Sequence, residues 1–220
     1  MPHVDPVDPL DPVLGRLRGL VEAIRFVQRA VPESLPLLRL ALPGQLGLIL
    51  VSLFLYAIFR PSLPGLGCGL TVPQALLLLL GLELLTLFIV GLVSRIFGRF
   101  RIPPHFEKLA EALLKSRALD LILTSMLAGV AEELLFRGVL ASLLGTLPSA
   151  VLFGVAHMPR SFGHFAILSG LGLLFSYEIQ LSGGLALPMI HHAVHDVMVL
   201  SLLRQTLLKN PGALDEQLRG

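Results

Sequence analysis

Charged residues are scarce in this chain, tryptophan is missing and cysteine occurs once. Only 15% of the 220 residues are Asp, Glu, Lys or Arg, whereas soluble domains carry about 25%. The formal charge of +2 is too small to indicate a nucleic-acid partner. The single Cys68 excludes an internal disulfide and any metal cluster built from cysteines. The lack of tryptophan is unusual beside the aromatic belts of most membrane proteins.

Apolar residues are correspondingly abundant in the chain. Hydrophobic residues make up 54% of the chain, and the mean hydropathy is +0.80. Several apolar runs approach the roughly 20 residues that cross a bilayer as a helix. The pattern predicts an all-α, polytopic membrane helical bundle with about six transmembrane helices and an N-terminal amphipathic helix. We find no internal repeat, so a duplicated transporter fold lacks support.

The boundaries of the apolar runs suggest how the chain is organised. We expect a disordered, Pro-rich acidic tail, an interfacial amphipathic helix, two spans with a basic cytoplasmic segment, a membrane core and a polar tail. These occupy residues 1–12, 13–36, 37–117, 118–204 and 205–220, respectively. The six spans are predicted at about 37–59, 74–94, 118–145, 148–159, 162–181 and 185–204.

Basic residues suggest how the bundle is oriented. In 13–31, apolar residues recur at helical spacing and arginines lie mostly on the other side, as in a helix of the membrane interface. A soluble helix packed on the domain is the alternative. Segment 95–117 is also basic, whereas the 61–73 loop has no Lys or Arg. Because cytoplasmic flanks are rich in Lys and Arg, we expect a multi-pass cell-membrane protein with both termini in the cytoplasm.

The run "AGVAEELLFRGVL" at 128–140 places two carboxylates and a guanidinium inside an apolar helix. Each charge at the centre of a membrane helix costs roughly 2.5–3.5 kcal/mol. Glu133 and Arg137 are four residues apart and therefore share a face, where they can neutralise one another. Glu132 lies about 100° around the helix and cannot share that pair equally. We therefore interpret Glu133 as structural and Glu132 as free to act as a general base.

Two further polar clusters follow. "FGVAH" places Phe153 and His157 four residues apart, and "HHAVHD" does the same for His192 and Asp196. At about 1.5 Å of rise per residue, Glu132, His157, His192 and Asp196 lie at one depth. Polar groups from three helices at one depth predict a site.

The other polar groups in the membrane have plainer interpretations. His191 and His195 are expected to form helix–helix hydrogen bonds, and His105 and His164 lie near span ends and are expected at the interface. Glu83 is either a packing contact or a partner of the site residues.

The order of the three motifs resembles a known family. "EELLFR", "FGVAH" and "HAVHD" are similar to the E-E-x-x-x-R, F-x-x-x-H and H-x-x-x-N/D motifs of the CPBP family, the CAAX proteases and bacteriocin-processing enzymes also called ABI proteins. The resemblance spans about 118–204 and implies a catalytic core there, in a glutamate-dependent intramembrane endopeptidase.

The resemblance also implies residue roles. Glu132 and His157 would bind and activate water, and Glu133 would support the site through Arg137. His192 and the residue at position 196 would stabilise the oxyanion.

Asp196 departs from the commoner Asn, and a carboxylate donates a hydrogen bond only when protonated. Either Asp196 is kept neutral by burial, or it orients and charges His192, which alone serves the oxyanion.

The dependence on metal is left open by the sequence. Glu132, His157 and His192 could supply a zinc site with an open position for water. The chain has no H-E-x-x-H motif, and the family has been described both as metalloproteases and as glutamate proteases. We favour metal-independent catalysis, with no cofactor and with zinc as the alternative.

Two other functions compete with proteolysis. In a transporter or proton-coupled channel, the same Glu and His residues would form a proton relay. The small number of spans and the order of the motifs argue against this function. A non-catalytic scaffold or immunity protein of the same fold would be expected to lose one of the polar groups. The expected partners are a membrane-associated protein or peptide substrate and the lipid bilayer; the substrate's identity and the oligomeric state are not encoded in any motif.

Overall fold

A computed structural model describes residues 11–97, 107–159 and 161–209 of the chain. These residues are helical except for short connections, and within them the only β-type pairing is an isolated bridge between Gly65 and Gly184. The helices, in chain order, are α1 (Asp11–Ala30), α2 (Pro36–Phe59), α3 (Val72–Phe97), α4 (Glu107–Lys115), α5 (Ala118–Glu133), a π-helical segment (Leu134–Leu140), α6 (Ala141–Leu144), α7 (Thr146–Ala156), α8 (Phe162–Ser182) and α9 (Ala186–Lys209).

Four helices within the described residues are long and apolar enough to cross a membrane: Pro36–Phe59, Val72–Val93, Phe162–Ser182 and Ala186–Lys209. The first two bury little of their surface inside the protein. Large apolar side chains such as Phe54, Leu77 and Phe88 are exposed on them, as expected for helices solvated by lipid tails. The chain is therefore an all-helical membrane protein.

The other two predicted spans take different forms. The predicted third span is a helix that runs through residues 118–144, but its centre is the π-helical segment. The predicted fourth helix, α7, has 11 residues, or about 16 Å of rise, which is half of a ~30 Å hydrocarbon core. α7 begins at Thr146, where Gly145 has a φ of 91°, and Pro148 is accommodated in the first turn. A total of six spans stays a prediction.

The ends of the chain differ from the prediction where the structure describes them. α1 begins at Asp11, inside the predicted tail, with Pro12 in its first turn, where proline is tolerated. α9 continues to Lys209, beyond the predicted end at 204, because Leu207 is buried in the core. The rest of both predicted tails, the Pro103–Pro104 break and His105 lie outside the described residues.

The apolar face of α1 is exposed within the part of the chain that the structure describes. Leu14, Leu17 and Val21 are each more than 40% exposed. A helix packed on the domain would bury these side chains, so their exposure favours the interfacial interpretation over the soluble one. The position of α1 in the membrane interface stays a prediction.

A buried carboxylate joins the beginning of α2 to α5. Both oxygens of Asp120 accept backbone N–H groups at the first turn of α2, from Leu37 at 2.9 Å and Leu38 at 2.8 Å. Ser116 also donates its hydroxyl to Asp120 at 2.7 Å. The first N–H groups of a helix lack intrahelical partners, so Asp120 caps α2 from a distance of more than 80 residues along the chain. A cluster of buried apolar residues from α2, α4, α5 and α9 surrounds this cap.

Close contacts at glycine residues set the positions of α5 and α9, the helices that carry Glu132 and His192. A Cβ added to Gly129 on α5 would lie 2.6 Å from the carbonyl oxygen of Met189, so glycine allows α5 and α9 to touch at this point. The 61–71 loop attaches to the turn between α8 and α9, where a Cβ on Gly184 would lie 2.3 Å from the carbonyl oxygen of Gly67. These contacts hold the beginning of α9 beside the middle of α5.

Candidate active site

Glu133 is the centre of a buried hydrogen-bond network. Its Oε1 accepts from Arg137 Nη1 at 2.9 Å, which forms the ion pair expected from the spacing, and from His192 Nδ1 at 2.7 Å. The side chains of Glu133 and Arg137 are 0% and 1% exposed. Such a charge is tolerated away from water only when it is paired and hydrogen-bonded. The bond to His192 joins α5 to α9 and was not foreseen from the sequence.

The guanidinium of Arg137 also lies over aromatic rings. Its Cζ is 4.1 Å from the ring centroid of Phe153 and 5.0 Å from that of Phe175. Cations are attracted to the faces of aromatic rings, and more strongly when both are desolvated. Phe153 is thus more than a core residue, because its ring contacts both the guanidinium of Arg137 and the imidazole of His157, whose centroid is 4.4 Å from its own.

The π-helical segment directly follows the two glutamates. The N–H of Ala141 bonds to the carbonyl of Phe136, five residues earlier, as a π-helix requires. Ser149 on α7 donates its hydroxyl to the same carbonyl at 2.5 Å. π-helical turns are rare and are frequent at functional sites. Here the wider turn carries Arg137 and connects the segment to α7.

Glu132 points away from the Glu133–Arg137 pair, as its position on the helix predicts. Its Oε1 accepts from Gln45 Nε2 on α2 at 3.3 Å. Its Oε2 lies 3.5 Å from His157 Nε2 and 3.9 Å from His192 Nε2. This buried Oε2 has no hydrogen-bond partner within the described part of the chain. A buried acceptor that faces two imidazole nitrogens without bonding to either is suited to share a small polar molecule with them.

Hydrogen bonds at Nδ1 decide which ring nitrogen of each imidazole carries a proton. His157, just after the end of α7, bonds through Nδ1 to the carbonyl of Phe153 at 2.8 Å. Because a carbonyl only accepts, Nδ1 carries the proton, and the Nε2 of a neutral His157 presents a lone pair toward Glu132. His192 Nδ1 likewise donates to the Glu133 carboxylate. Both Nε2 atoms therefore face Glu132.

Asp196 completes the group from one turn further along α9. Its Oδ2 is 3.7 Å from His192 Nε2. The side chains of His157 and Asp196 are 33% and 31% exposed, whereas those of His192 and Glu132 are 5% and 12% exposed. Access to the site is therefore from the side where His157 and Asp196 lie.

The structure thus brings together all six residues singled out from the sequence. They are Glu132, Glu133, Arg137, His157, His192 and Asp196. His191 and His195 form helix–helix hydrogen bonds to Glu83, as expected. Sequence reasoning missed Gln45, Ser149, Phe175 and Glu178; Glu178 carried a usable signal, since it is an acidic residue inside an apolar helix.

The donors around Glu132 also bear on the metal question. Among the described residues, no group of three or more His, Cys, Asp or Glu side chains is spaced to hold a metal ion as it stands. The donor chemistry nevertheless fits: each imidazole presents Nε2 to Glu132 and is bonded at Nδ1 to an oxygen, as metal-ligating histidines usually are.

Fold and site together define a helical membrane protein with a buried carboxylate–imidazole centre suited to hydrolysis. Residues 114–198 match the family model described as Type II CAAX prenyl endopeptidase Rce1-like. This segment is therefore similar to an Rce1-like endopeptidase domain, consistent with the CPBP resemblance, and the matched range contains all six residues singled out from the sequence. No curated protein and no solved structure matches the chain. The match supports an intramembrane CAAX-type protease that acts on a protein or peptide at the membrane, and it does not favour the transporter or scaffold interpretations.

Proposed function

We propose that this protein is a glutamate-dependent intramembrane endopeptidase that hydrolyses a peptide bond of a membrane-associated protein or peptide. The observation that carries the proposal is the convergence of Glu132 Oε2 with the Nε2 atoms of His157 and His192, at 3.5 and 3.9 Å. Only Glu132, of the two adjacent glutamates, has an oxygen that faces both imidazoles. The match of residues 114–198 to a protease family supports the same reaction class.

Water activation is assigned to Glu132 and His157. A water molecule that bridges the two groups from the side donates one hydrogen bond to Glu132 Oε2 and the other to the lone pair of His157 Nε2. As its oxygen attacks the scissile carbonyl carbon, Glu132 takes its proton, and the carbonyl π electrons move to the oxygen. When the C–N bond breaks, Glu132 returns the proton to the leaving amine, so the carboxylate is regenerated.

Oxyanion stabilisation is assigned to His192. With Glu132, Glu133 and Asp196 ionised, Arg137 is the one permanent cation among the six site residues. An imidazolium at His192 offsets this excess of negative charge and provides an N–H at Nε2. Asp196 then acts as the charge partner of Nε2, at 3.7 Å, rather than as a hydrogen-bond donor. A pre-organised donor of this kind contributes about 2.7–4 kcal/mol to a hydrolytic transition state.

Metal-independent catalysis is the form of the reaction that we favour, since the described route needs only the carboxylate and imidazole groups. If a zinc ion is bound, Glu132, His157 and His192 are the residues that would hold it. Zinc would supply Lewis-acid polarisation and a more acidic water. Metal analysis of the purified protein, together with chelator treatment, distinguishes the metal-independent mechanism from the zinc-dependent one.

The membrane arrangement is also part of the proposal. We infer a cell-membrane location with both termini in the cytoplasm, because the basic residues of α1 and of the 95–117 segment lie at the flanks that would face it. The match to a CAAX prenyl endopeptidase model makes a prenylated C-terminal peptide the first substrate class to test.

Comparative peptidomics tests the proposed function. Membranes from cells that express wild-type protein should contain cleavage products that are absent with Glu132→Ala. Matched control cells express Glu111→Ala, which removes an exposed carboxylate on α4 and should leave the products unchanged. Identical peptides in wild-type and Glu132→Ala cells would contradict the proposal.

A further inference from the structure

A second buried polar cluster lies behind the candidate active site. Its members, called here the Glu83 cluster, are Glu83 on α3, Glu178 on α8, and His191 and His195 on α9. Each is at most 8% exposed. The proposed reaction uses none of these groups. Burying two carboxylates is expensive unless they are paired, so the cluster calls for an explanation beyond packing.

His191 holds the cluster together through both ring nitrogens. Nδ1 bonds to Glu178 Oε1, and Nε2 bonds to Glu83 Oε2 at 2.9 Å. Carboxylates accept hydrogen bonds, so with both glutamates ionised His191 is doubly protonated. His195 Nδ1 lies 3.1 Å from the other oxygen of Glu83. The imidazole ring of His191 is thereby fixed between α3 and α8.

Phe175 connects this cluster with the candidate active site. Its ring meets His191 edge to face, with centroids 5.3 Å apart and planes at 84°. The same ring stacks on His192, with centroids 5.1 Å apart and planes at 15°. The guanidinium of Arg137 lies 5.0 Å from its centroid. Phe175 is 1% exposed, so it contacts both adjacent histidines of α9 from a buried position.

We propose that Phe175 is a positioning residue for His192, and that the Glu83 cluster holds Phe175 in place through His191. His192 is bonded to Glu133 at Nδ1, but a single hydrogen bond does not fix the plane of the imidazole ring. Stacking on Phe175 fixes the ring plane and aims Nε2 toward Glu132 and Asp196. This inference rests on the proposed function, because it explains how the proposed oxyanion donor is aligned.

The kinetic test compares Phe175→Leu with Leu113→Ala. Phe175→Leu keeps an apolar side chain but removes the flat ring, whereas Leu113→Ala destabilises a fully buried core position in another cluster. With a prenylated peptide as substrate, we expect kcat of Phe175→Leu to fall about 10- to 100-fold, as misplacement of a reacting group does, while KM stays within about twofold. Leu113→Ala should lower the unfolding temperature and leave kcat unchanged. Unchanged kcat in folded Phe175→Leu would overturn the proposal.

A spectroscopic measurement tests the alignment without turnover. In protein with isotope-labelled histidine, the resonance missing from His192→Gln identifies the His192 ring. Stacking on Phe175 should shift that ring's carbon-bound protons upfield, and Phe175→Leu should remove the shift. If Phe175→Leu does not fold, Phe175→Met serves in both experiments. A His192 resonance at the same position in wild type and variant would overturn the proposal.

A double variant tests the part assigned to the cluster. Glu178→Gln should lower kcat in the wild-type background and cause little further loss in Phe175→Leu, because both act on the same ring. Losses that multiply would contradict the route through Phe175. The proposed function and this inference fail in different ways. If the proposed function is wrong, Glu132→Gln cleaves as fast as wild type. If only the role of Phe175 is wrong, cleavage still depends on Glu132.

Discussion

Replacing Arg137 by methionine probes the buried charge pair that supports the candidate site. The substitution keeps an unbranched side chain but leaves Glu133 as a carboxylate that is 0% exposed. Its remaining hydrogen-bond partner is His192, and its Oε2 has none among the described residues. Breaking a buried pair by removing one partner costs about 3–5 kcal/mol.

The cost can be measured as a loss of thermal stability. For a chain of about this size, each kcal/mol shifts Tm by about 2–4 °C, so Arg137→Met should lower Tm by about 6–20 °C. Circular dichroism of the purified protein in detergent is the suitable assay, since the chain contains no tryptophan.

A double variant shows whether charge is the cause. Adding Glu133→Gln to Arg137→Met removes the stranded charge and leaves an amide oxygen that accepts from His192. We therefore expect the double variant to be more stable than Arg137→Met alone. A Tm for Arg137→Met within about 2 °C of wild type, or a double variant that is less stable than Arg137→Met, would refute the account of Glu133 as a buried carboxylate neutralised by Arg137.

Three further predictions concern other parts of the molecule. Asp120→Ala removes the cap of α2 and leaves two backbone N–H groups without their partner. It should destabilise the protein by about 1–3 kcal/mol, measured as a fall in Tm. Asp120→Asn should recover part of this stability, and equal Tm values for wild type and Asp120→Ala would contradict the capping role. Gly184→Ala places a methyl group against the Gly67 carbonyl oxygen and should lower Tm, whereas Gly81→Ala, where a Cβ meets nothing within 4 Å, should not; the reverse order would be inconsistent with the packed turn. Chelator treatment should leave cleavage activity unchanged, and its loss with recovery on adding zinc would show that a metal takes part.

The sequence predicted the local part of the site well. Glu133 and Arg137 pair because residues four apart share a helix face, and the same geometry turns Glu132 away from them. His157 and His192 were matched to Glu132 by depth, because helices that cross one membrane share a common scale along its normal. Each of these inferences needs only helical rise and rotation.

Contacts that depend on which helices are neighbours were not predictable. The hydrogen bond from His192 to Glu133 requires α9 to lie against α5. Gly129 allows this close contact, but a glycine in a sequence does not identify which helix packs against it. Phe175 resembles any other apolar residue of its helix until α8 is placed beside α9. The π-helical segment has no signature in hydrophobic periodicity, since Leu134–Leu140 is apolar on nearly every side.

Some polar residues stand out in the sequence, but their hydrogen-bond partners are known only from the fold. Glu83 and Glu178 are acidic residues inside apolar helices, but nothing in the sequence assigns both to His191. Asp120 was unremarkable near the start of its predicted span, and its role as a cap depends on α2 beginning beside it. Tertiary packing decided these partners.

Cleavage by purified Glu132→Gln protein tests the central claim most directly. The amide keeps the size of the side chain and its contact with Gln45, but it cannot take a proton from water. With a prenylated peptide or a substrate found by peptidomics, the single-turnover rate should fall about 10²–10⁴-fold, the usual contribution of a general base. Tm should stay close to that of wild type, because Glu132 makes a single hydrogen bond among the described residues, and this bond is long, at 3.3 Å. A folded Glu132→Gln protein that cleaves at the wild-type rate would contradict the claim that Glu132 activates the water.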